Sequence, residues 1–306
     1  MNSRQTYTVL PELNLKKKAV QSRFIQVYKN FYNLDFPGTD HFIGTFNACN
    51  FTITAQVFKP VKSSGTVFMI HGYLDHSALM RNLIHHCLQC GYNVAIFDLP
   101  GHGLSSGRVA SISSFDLYVQ ILQKFISITE NDLQSPFYFA GHSTGCSIAY
   151  QFVASDPFFE KVLFIAPLIR PKHYLLIKHV CPILKNRVSR LPRIQRETSS
   201  DKDYVKFRRS DPLWIKNISF DWIKALLDWN ERIKAFKPVR IPTLVIQGTS
   251  DKVVNWRYNV SFLSEKMPHS EICYINGAKH DLCNETQVYR QMLMSEIERT
   301  FFEKMG

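Results

Sequence analysis

Phe137-Tyr138-Phe139-Ala140-Gly141-His142-Ser143-Thr144-Gly145 is the stretch on which the fold of this chain turns. An apolar, aromatic run suited to a buried strand gives way to a glycine-flanked pentapeptide, and Cys146 to Ala154 then shows helical spacing. Strand, sharp turn, helix is the setting in which a serine hydroxyl projects above a sheet beside the open N–H groups of a helix start. Gly141 and Gly145 suit that setting, because a Cβ at either place would collide with the adjoining strand or helix. The pattern G-x-S-x-G arises by chance in roughly one chain of this length in ten. It therefore needs a base, an acid and an oxyanion hole from elsewhere in the chain.

Outward from the elbow, short β-branched or aromatic runs ending in Gly, Pro or Asp alternate with stretches of helical spacing. That alternation predicts an α/β fold, a largely parallel sheet flanked by helices. A hairpin at His41 to Phe46 and Phe51 to Phe58 opens it. Strands follow at Thr66 to Ile70, Asn93 to Phe97, Phe137 to Ala140, Val162 to Ile165, Thr243 to Gln247 and Glu271 to Ile275. Helices are expected near Ser77 to Cys90, Ser114 to Thr129, Cys146 to Ala154 and Glu285 to Lys304. In such sheets chemistry gathers at the carboxyl ends of the strands.

Three strand ends supply the missing parts. The strand at Thr66 runs into His71-Gly72-Tyr73-Leu74-Asp75-His76-Ser77, a loop whose Tyr73 N–H, with the N–H of Thr144, makes a candidate oxyanion hole. Gly248-Thr249-Ser250-Asp251 places a carboxylate, and Asn276-Gly277-Ala278-Lys279-His280 places an imidazole. The order Ser143, Asp251, His280 is that of an α/β-hydrolase triad. Taken singly, each has a plainer reading: a turn serine, an Asx-turn aspartate, a loop histidine. Asp281 is expected to point away from the imidazole and Asp98 to brace a turn.

At 306 residues and 45% hydrophobic content the chain can bury a large core. Met1 to Val20 carries Lys16-Lys17-Lys18 without a following uninterrupted apolar run, and no stretch approaches 18 apolar residues. A soluble, cytoplasmic protein is expected. The cysteines, odd in number and scattered among apolar residues, suit free thiols in a reducing compartment.

The oxyanion loop, the segment Phe97-Asp98-Leu99-Pro100-Gly101-His102-Gly103-Leu104-Ser105-Ser106-Gly107 and the elbow together resemble the monoacylglycerol lipase and bacterial lysophospholipase group of α/β-hydrolases, alongside serine aminopeptidase-like hydrolases. Ser210-Asp211-Pro212-Leu213 and His280-Asp281-Leu282 share in the resemblance, which runs from about Phe42 to the end. It implies an α/β-hydrolase fold with a helical cap and a substrate that is a monoacylglycerol or a lysophospholipid. The group usually has glycine where this chain has Leu74 and Cys146. Leu74 is expected to narrow the acyl site and Cys146 to tighten the elbow helix against the sheet.

About 75 residues separate the strand at Val162 from that at Thr243, far more than one crossover helix requires. An inserted cap explains them. The expected division is a helical extension at 1–40, a core at 41–167 and 237–306, and a cap at 168–236. From Ile169 to Ser210 there are twelve Lys/Arg against three acids, beside the apolar Tyr174 to Ile177 and Val180 to Leu184. That combination suits contact with an anionic membrane, the plainer reading being a solvated basic cap. Asp221 is expected to cap a helix to Phe236 whose Trp222, Leu226, Trp229, Ile233 and Phe236 share one face.

Other constellations are weaker. His85-His86-Cys87 with Cys90 has metal-ligand spacing, but no second ligand pair is evident. Lys16-Lys17-Lys18 followed by Phe24, Ile25, Val27 and Tyr28 suits an amphipathic helix, the plainer reading being a solvated one, and the basic charge comes without a nucleic-acid motif. The expectation is a serine hydrolase cleaving a lipid-like ester through an acyl-enzyme, with no metal and no organic cofactor. An esterase, thioesterase or peptidase acting on small substrates, or a non-catalytic binding module, stands as the alternative.

Overall fold

In the computed structural model, which describes residues 10–17, 22–184, 189–193 and 197–302, the alternation predicted from the sequence becomes one central sheet with helices on both faces. The chain opens with α1 (Arg23–Tyr32), then the hairpin β1 (Thr39–Ala48) and β2 (Phe51–Pro60). The hairpin is longer than the sequence suggested. Cys49 and Asn50 both take positive φ (51° and 62°), a two-residue turn that leaves the strands in register from Ala48↔Phe51 to Thr39↔Pro60.

Next come β3 (Thr66–Ile70), α2 (Arg81–Gln89), β4 (Asn93–Phe97), α3 (Phe115–Thr129), β5 (Phe137–His142), α4 (Thr144–Val153) and β6 (Lys161–Ile165). The helix predicted from Ser77 divides into a 3-10 turn, Ser77–Met80, and α2. After β6 the chain leaves the sheet for α5 (Tyr174–Leu184), β7 (Arg190–Pro192), α6 (Lys202–Ser210), β8 (Asn217–Ser219) and α7 (Phe220–Arg232). It returns as β9 (Thr243–Gly248), α8 (Trp256–Lys266), β10 (Ser270–Ile275) and α9 (Gln287–Glu296), which continues as a π-helical turn to Phe302. Lys18, Lys185, Arg187 and Arg196 of the basic runs, and the far end of the predicted last helix, lie outside the described residues.

The sheet order is β1-β2-β4-β3-β5-β6-β9-β10. The hairpin and the β2–β4 pair are antiparallel and the rest is parallel, so β3, β5, β9 and β10 all point their carboxyl ends the same way. Period-2 alternation splits the core in two. Phe68 and Ile70 join Phe97, Phe125 and Phe139 on one face, while Val67 and Met69 join Val94, Ile96 and Leu163 on the other. Truncating one of these fully buried phenylalanines to Ala costs about 3–5 kcal/mol.

Two expectations from the sequence are corrected. The N-terminal helix is amphipathic rather than solvated all round: Ser22 caps α1, and Ile25, Tyr28 and Tyr32, spaced three and four apart, are buried in the second core. Asp221 does not cap α7. Ser219 holds that position, and the Asp221 carboxylate instead accepts hydrogen bonds from Arg108 (3.1 Å) and Ser111 (3.0 Å). Trp222, Leu226, Trp229 and Ile233 are buried as a stripe, with Phe236 packed beside them. Among the described residues no helix is long and apolar enough to cross a membrane.

Candidate active site

Ser143 joins β5 to α4 with φ 52° and ψ −109°, a conformation a non-glycine residue holds at a cost of about 1–3 kcal/mol. Its surroundings enforce it. The Ser143 N–H donates to the Ile165 carbonyl (3.0 Å), and its carbonyl accepts from Cys146 (3.1 Å) and Leu168 (3.2 Å). The glycine requirement is steric: a Cβ on Gly145 would stand 2.2 Å from the Ile70 carbonyl oxygen of β3, and one on Gly141 2.7 Å from the Cys146 nitrogen. The Cys146 thiol donates to the Gly141 carbonyl (3.0 Å), tying α4 to the sheet. No side chain caps α4, so the positive end of the helix dipole lies at Ser143.

The parallel register Ile275↔Gly248 sets the loops after β9 and β10 side by side. There His280 Nδ1 meets Asp251 Oδ2 at 2.7 Å. Asp251 Oδ1 accepts from the backbone of Val253 (2.7 Å) and Val254 (3.1 Å), and Gln247 donates to Oδ2 (3.2 Å). Burial works to raise the Asp251 pKa, but the His280 charge and these hydrogen bonds outweigh it and hold the carboxyl below its usual range. For His280 burial pulls downward, yet Asp251 first, then Asp281 and Asp75, lift the imidazole above its ordinary value. His280 also stands against the elbow: its ring lies 4.9 Å from that of His142, and His142 Nε2 donates to the His280 carbonyl (3.1 Å).

The loop after β3 packs directly on the elbow. A Cβ on Gly72 would lie 2.9 Å from His142 Nδ1 and 3.2 Å from Ser143 Cβ. His71 anchors its start, Nδ1–H donating to the Gly72 carbonyl (2.8 Å) and Nε2 accepting from Leu99 N–H (3.0 Å). Burial holds this histidine neutral, with its pKa lowered to about 3. Tyr73 is gripped by its side chain, the hydroxyl donating to the Ala110 carbonyl (2.8 Å) and accepting from Ser219 N–H (3.0 Å). Leu74 takes φ 67°, which explains why glycine suits the position, and its side chain packs on Ala110 and Ile215. Asp98 braces the neighbouring loop by accepting from Ser77 and Leu104 (2.8 Å each).

A buried charge cluster that the sequence did not reveal lies beside the elbow. Arg208, from the end of α6 and only 6% exposed, pairs with Asp75 of the loop after β3 and with Asp281 next to His280 (2.5 Å). Thr198 also donates to Asp281 (2.7 Å), and His142 stands between the two carboxylates at 4.0 and 3.9 Å. Asp281 thus points away from the His280 ring, as the sequence suggested, and is held instead by Arg208 and Thr198. A second junction follows on Asp211, which accepts from Tyr32 of α1 (2.6 Å) and bonds His76 (2.8 Å).

Ser143 and His280 are buried, only 6% and 5% exposed. A cavity of about 500 Å3 lies between Gly101–Val109 and the 212–215 segment, lined by Arg108, Arg190 and Trp214 and by none of Ser143, Asp251 or His280. On the insertion's outside, Leu175, Leu176 and Ile183 of α5 are 67%, 63% and 70% exposed on one helical face. Of the metal-like residues, His86 and Cys90 do meet (3.9 Å), and Glu298 reaches both (3.7 and 3.9 Å), a third ligand type with no sequence signal. His85 stacks on Phe36 instead.

Sheet order, elbow and flanking helices define an α/β-hydrolase fold. A soluble variant of the monoglyceride lipase of Saccharomyces cerevisiae, solved with a substrate analogue, shares that fold at a TM-score of 0.72 and 19% identity, over 83% of this chain and 92% of that one. The family model described as serine aminopeptidase, S33 matches residues 61–287, and the chain belongs to that family. Among curated relatives, a monoglyceride lipase homolog of Monkeypox virus is 28% identical over 85% of this chain and 98% of its own length. A phospholipase of Bacillus subtilis is 24% identical over 75% of this chain and 93% of its own.

Proposed function

We propose that this protein is a serine hydrolase that cleaves the carboxylic ester of a lipid amphiphile, a monoacylglycerol or a lysophospholipid, through an acyl-enzyme. The observation that carries this reading is the strained backbone of Ser143 beside an imidazole whose Nδ1 is held 2.7 Å from Asp251. With Nδ1 so engaged, Nε2 is the nitrogen left to take the Ser143 proton. Ser143 Oγ attacks the ester carbonyl, and the N–H groups of Tyr73 and Thr144 receive the oxyanion. His280 then gives the proton to the leaving alcohol and activates water against the acyl-enzyme.

The residues 168–236 act in this reading as a cap over a core of 41–167 and 237–306, with 1–40 as a helical extension. Because Ser143 is nearly closed off, a long-chain substrate enters only when the cap shifts. The exposed apolar face of α5, preceded in the sequence by Arg170 and Lys172, supports a cap that sits peripherally on an anionic membrane and draws its substrate from it. Relatives named monoglyceride lipase and phospholipase support the lipid-ester class. Against a peptidase, Asp75 and Asp281 beside the elbow are already paired with Arg208 rather than open to a free amino group.

Hydrolysis of p-nitrophenyl esters of rising chain length, beside a monoacylglycerol and lysophosphatidylcholine, tests the substrate class. Turnover favouring the long-chain lipids is expected. A preference for acetate or butyrate esters with no lipid turnover contradicts it.

A further inference from the structure

The geometry points to Arg208 as a positioning residue, a single guanidinium that locks the oxyanion loop to the His280 loop and balances the negative charge His280 faces. This rests on the serine-hydrolase reading and adds to it a residue of the insertion.

Three facts carry the assignment. Arg208 is buried, and its two arms reach different carboxylates, Asp75 four residues after His71 and Asp281 immediately after His280. A planar guanidinium spans two carboxylates in fixed directions, which an ammonium does not. The clamp thereby sets the separation of two loops that β3 and β10 deliver independently, and both loops border Ser143.

The charges around His280 make the second half of the case. It is faced by Asp251 from the loop after β9, Asp75 from the loop after β3, its neighbour Asp281, and His142 from the elbow. Arg208 in turn is faced by Asp75, Asp281, Tyr204 and Asp211, with Arg193 close by over Trp214. Burial pulls the Arg208 pKa down, but Asp75 and Asp281 outweigh it and keep the guanidinium charged. Without this cation two carboxylates would act on His280 unopposed, and its acid form would persist to higher pH.

The test compares wild type with Arg208→Lys, Arg208→Gln and the double variant Arg208→Gln/Asp281→Asn, measuring kcat, KM and the acid limb of kcat/KM with a fluorophosphonate label as the readout of Ser143. Arg208→Gln should lower kcat at least about tenfold and move the acid limb up by roughly one pH unit. The double variant, which restores the charge count, should bring the limb back without restoring kcat. Arg208→Lys should keep the limb and lose kcat. A folded Arg208→Gln with wild-type kcat and limb overturns the assignment. So does full kcat in Arg208→Lys, which decides the matter if the glutamine variant does not fold. A wild-type protein that neither labels nor turns over ester sinks the hydrolase reading itself, an outcome distinct from both.

Discussion

The indole of Trp222 lies flat on the ring of Tyr73, with centroids 3.6 Å apart and planes 10° from parallel. Tyr73 belongs to the loop whose N–H is assigned to the oxyanion, and Trp222 to α7 of the insertion, so one stacked pair joins the two. Trp222→Ala removes the stack and part of the buried stripe, a loss of about 3–5 kcal/mol. Because the loop then loses a restraint, kcat is expected to fall about tenfold with KM changed little. Steady-state kinetics beside thermal unfolding checks it, and an unchanged kcat in a destabilised variant would refute the link.

The pH dependence follows from the shifts. His280 acts as a base only when neutral, and its pKa is raised, so the acid limb of kcat/KM should lie above the ordinary imidazole value of about 6.5. Asp251→Asn removes the main cause of that rise, moves the limb downward and lowers kcat about 10^4-fold. A limb that stays in place in Asp251→Asn would break the assignment of Asp251.

Stability has its own profile. His71 is buried neutral with a pKa near 3, and protonating it would put hydrogen on Nε2 against the Leu99 N–H. His102 is likewise lowered to about 3. The unfolded chain binds these protons below about pH 6.5 while the folded one does not, so each contributes a loss of about 1.4 kcal/mol per pH unit on acidification. Asp251, with a depressed pKa, adds a loss as pH falls below about 4. His280, with a raised pKa, has the opposite sign, and its contribution fades as pH rises through its folded pKa. The two neutral histidines outnumber it, so the melting temperature should drop from pH 6.5 to pH 4.5. A flat profile there would contradict the neutral state of His71 and His102.

Much of this was legible in the sequence, and the reason is local. The elbow is nine consecutive residues, and Asp251 and His280 each follow a strand whose apolar run is plain. The charge cluster was not legible, because Asp75, His142, Arg208 and Asp281 come from four distant segments that no local pattern relates. A tally of basic residues counts Arg208 with the surface charges, whereas the fold buries it. Asp221 misled for the opposite reason: Asp is a good N-cap, but Ser219 precedes the helix and Arg108 claims the carboxylate. The burial of α1 was signalled by the spacing of Ile25, Tyr28 and Tyr32, while its docking site, Asp211, lies 179 residues beyond Tyr32.

The outer face of α5 supplies the next prediction. Leu175→Ser with Leu176→Ser and Ile183→Ser removes exposed apolar area without touching the core, so folding should be unchanged. Sedimentation with vesicles containing phosphatidylserine should fall several-fold in the triple variant and in wild type at high salt. Equal sedimentation with neutral and anionic vesicles would refute membrane docking.

Leu74 tests the loop's backbone. Leu74→Gly relieves a positive φ worth about 1–2 kcal/mol but gives up packing on Ala110 and Ile215 worth more. A net loss of about 1–3 kcal/mol in denaturant unfolding is expected, and a stabilised variant would show that Leu74 contributes no packing.

The nucleophile is the central claim, and covalent labelling reaches it most directly. Wild-type protein exposed to a fluorophosphonate should gain one adduct, mapped by peptide mass spectrometry to Ser143, while Ser143→Ala with an unchanged melting temperature should gain none and hydrolyse no ester. Labelling retained in Ser143→Ala, or an adduct on another residue, would contradict the account.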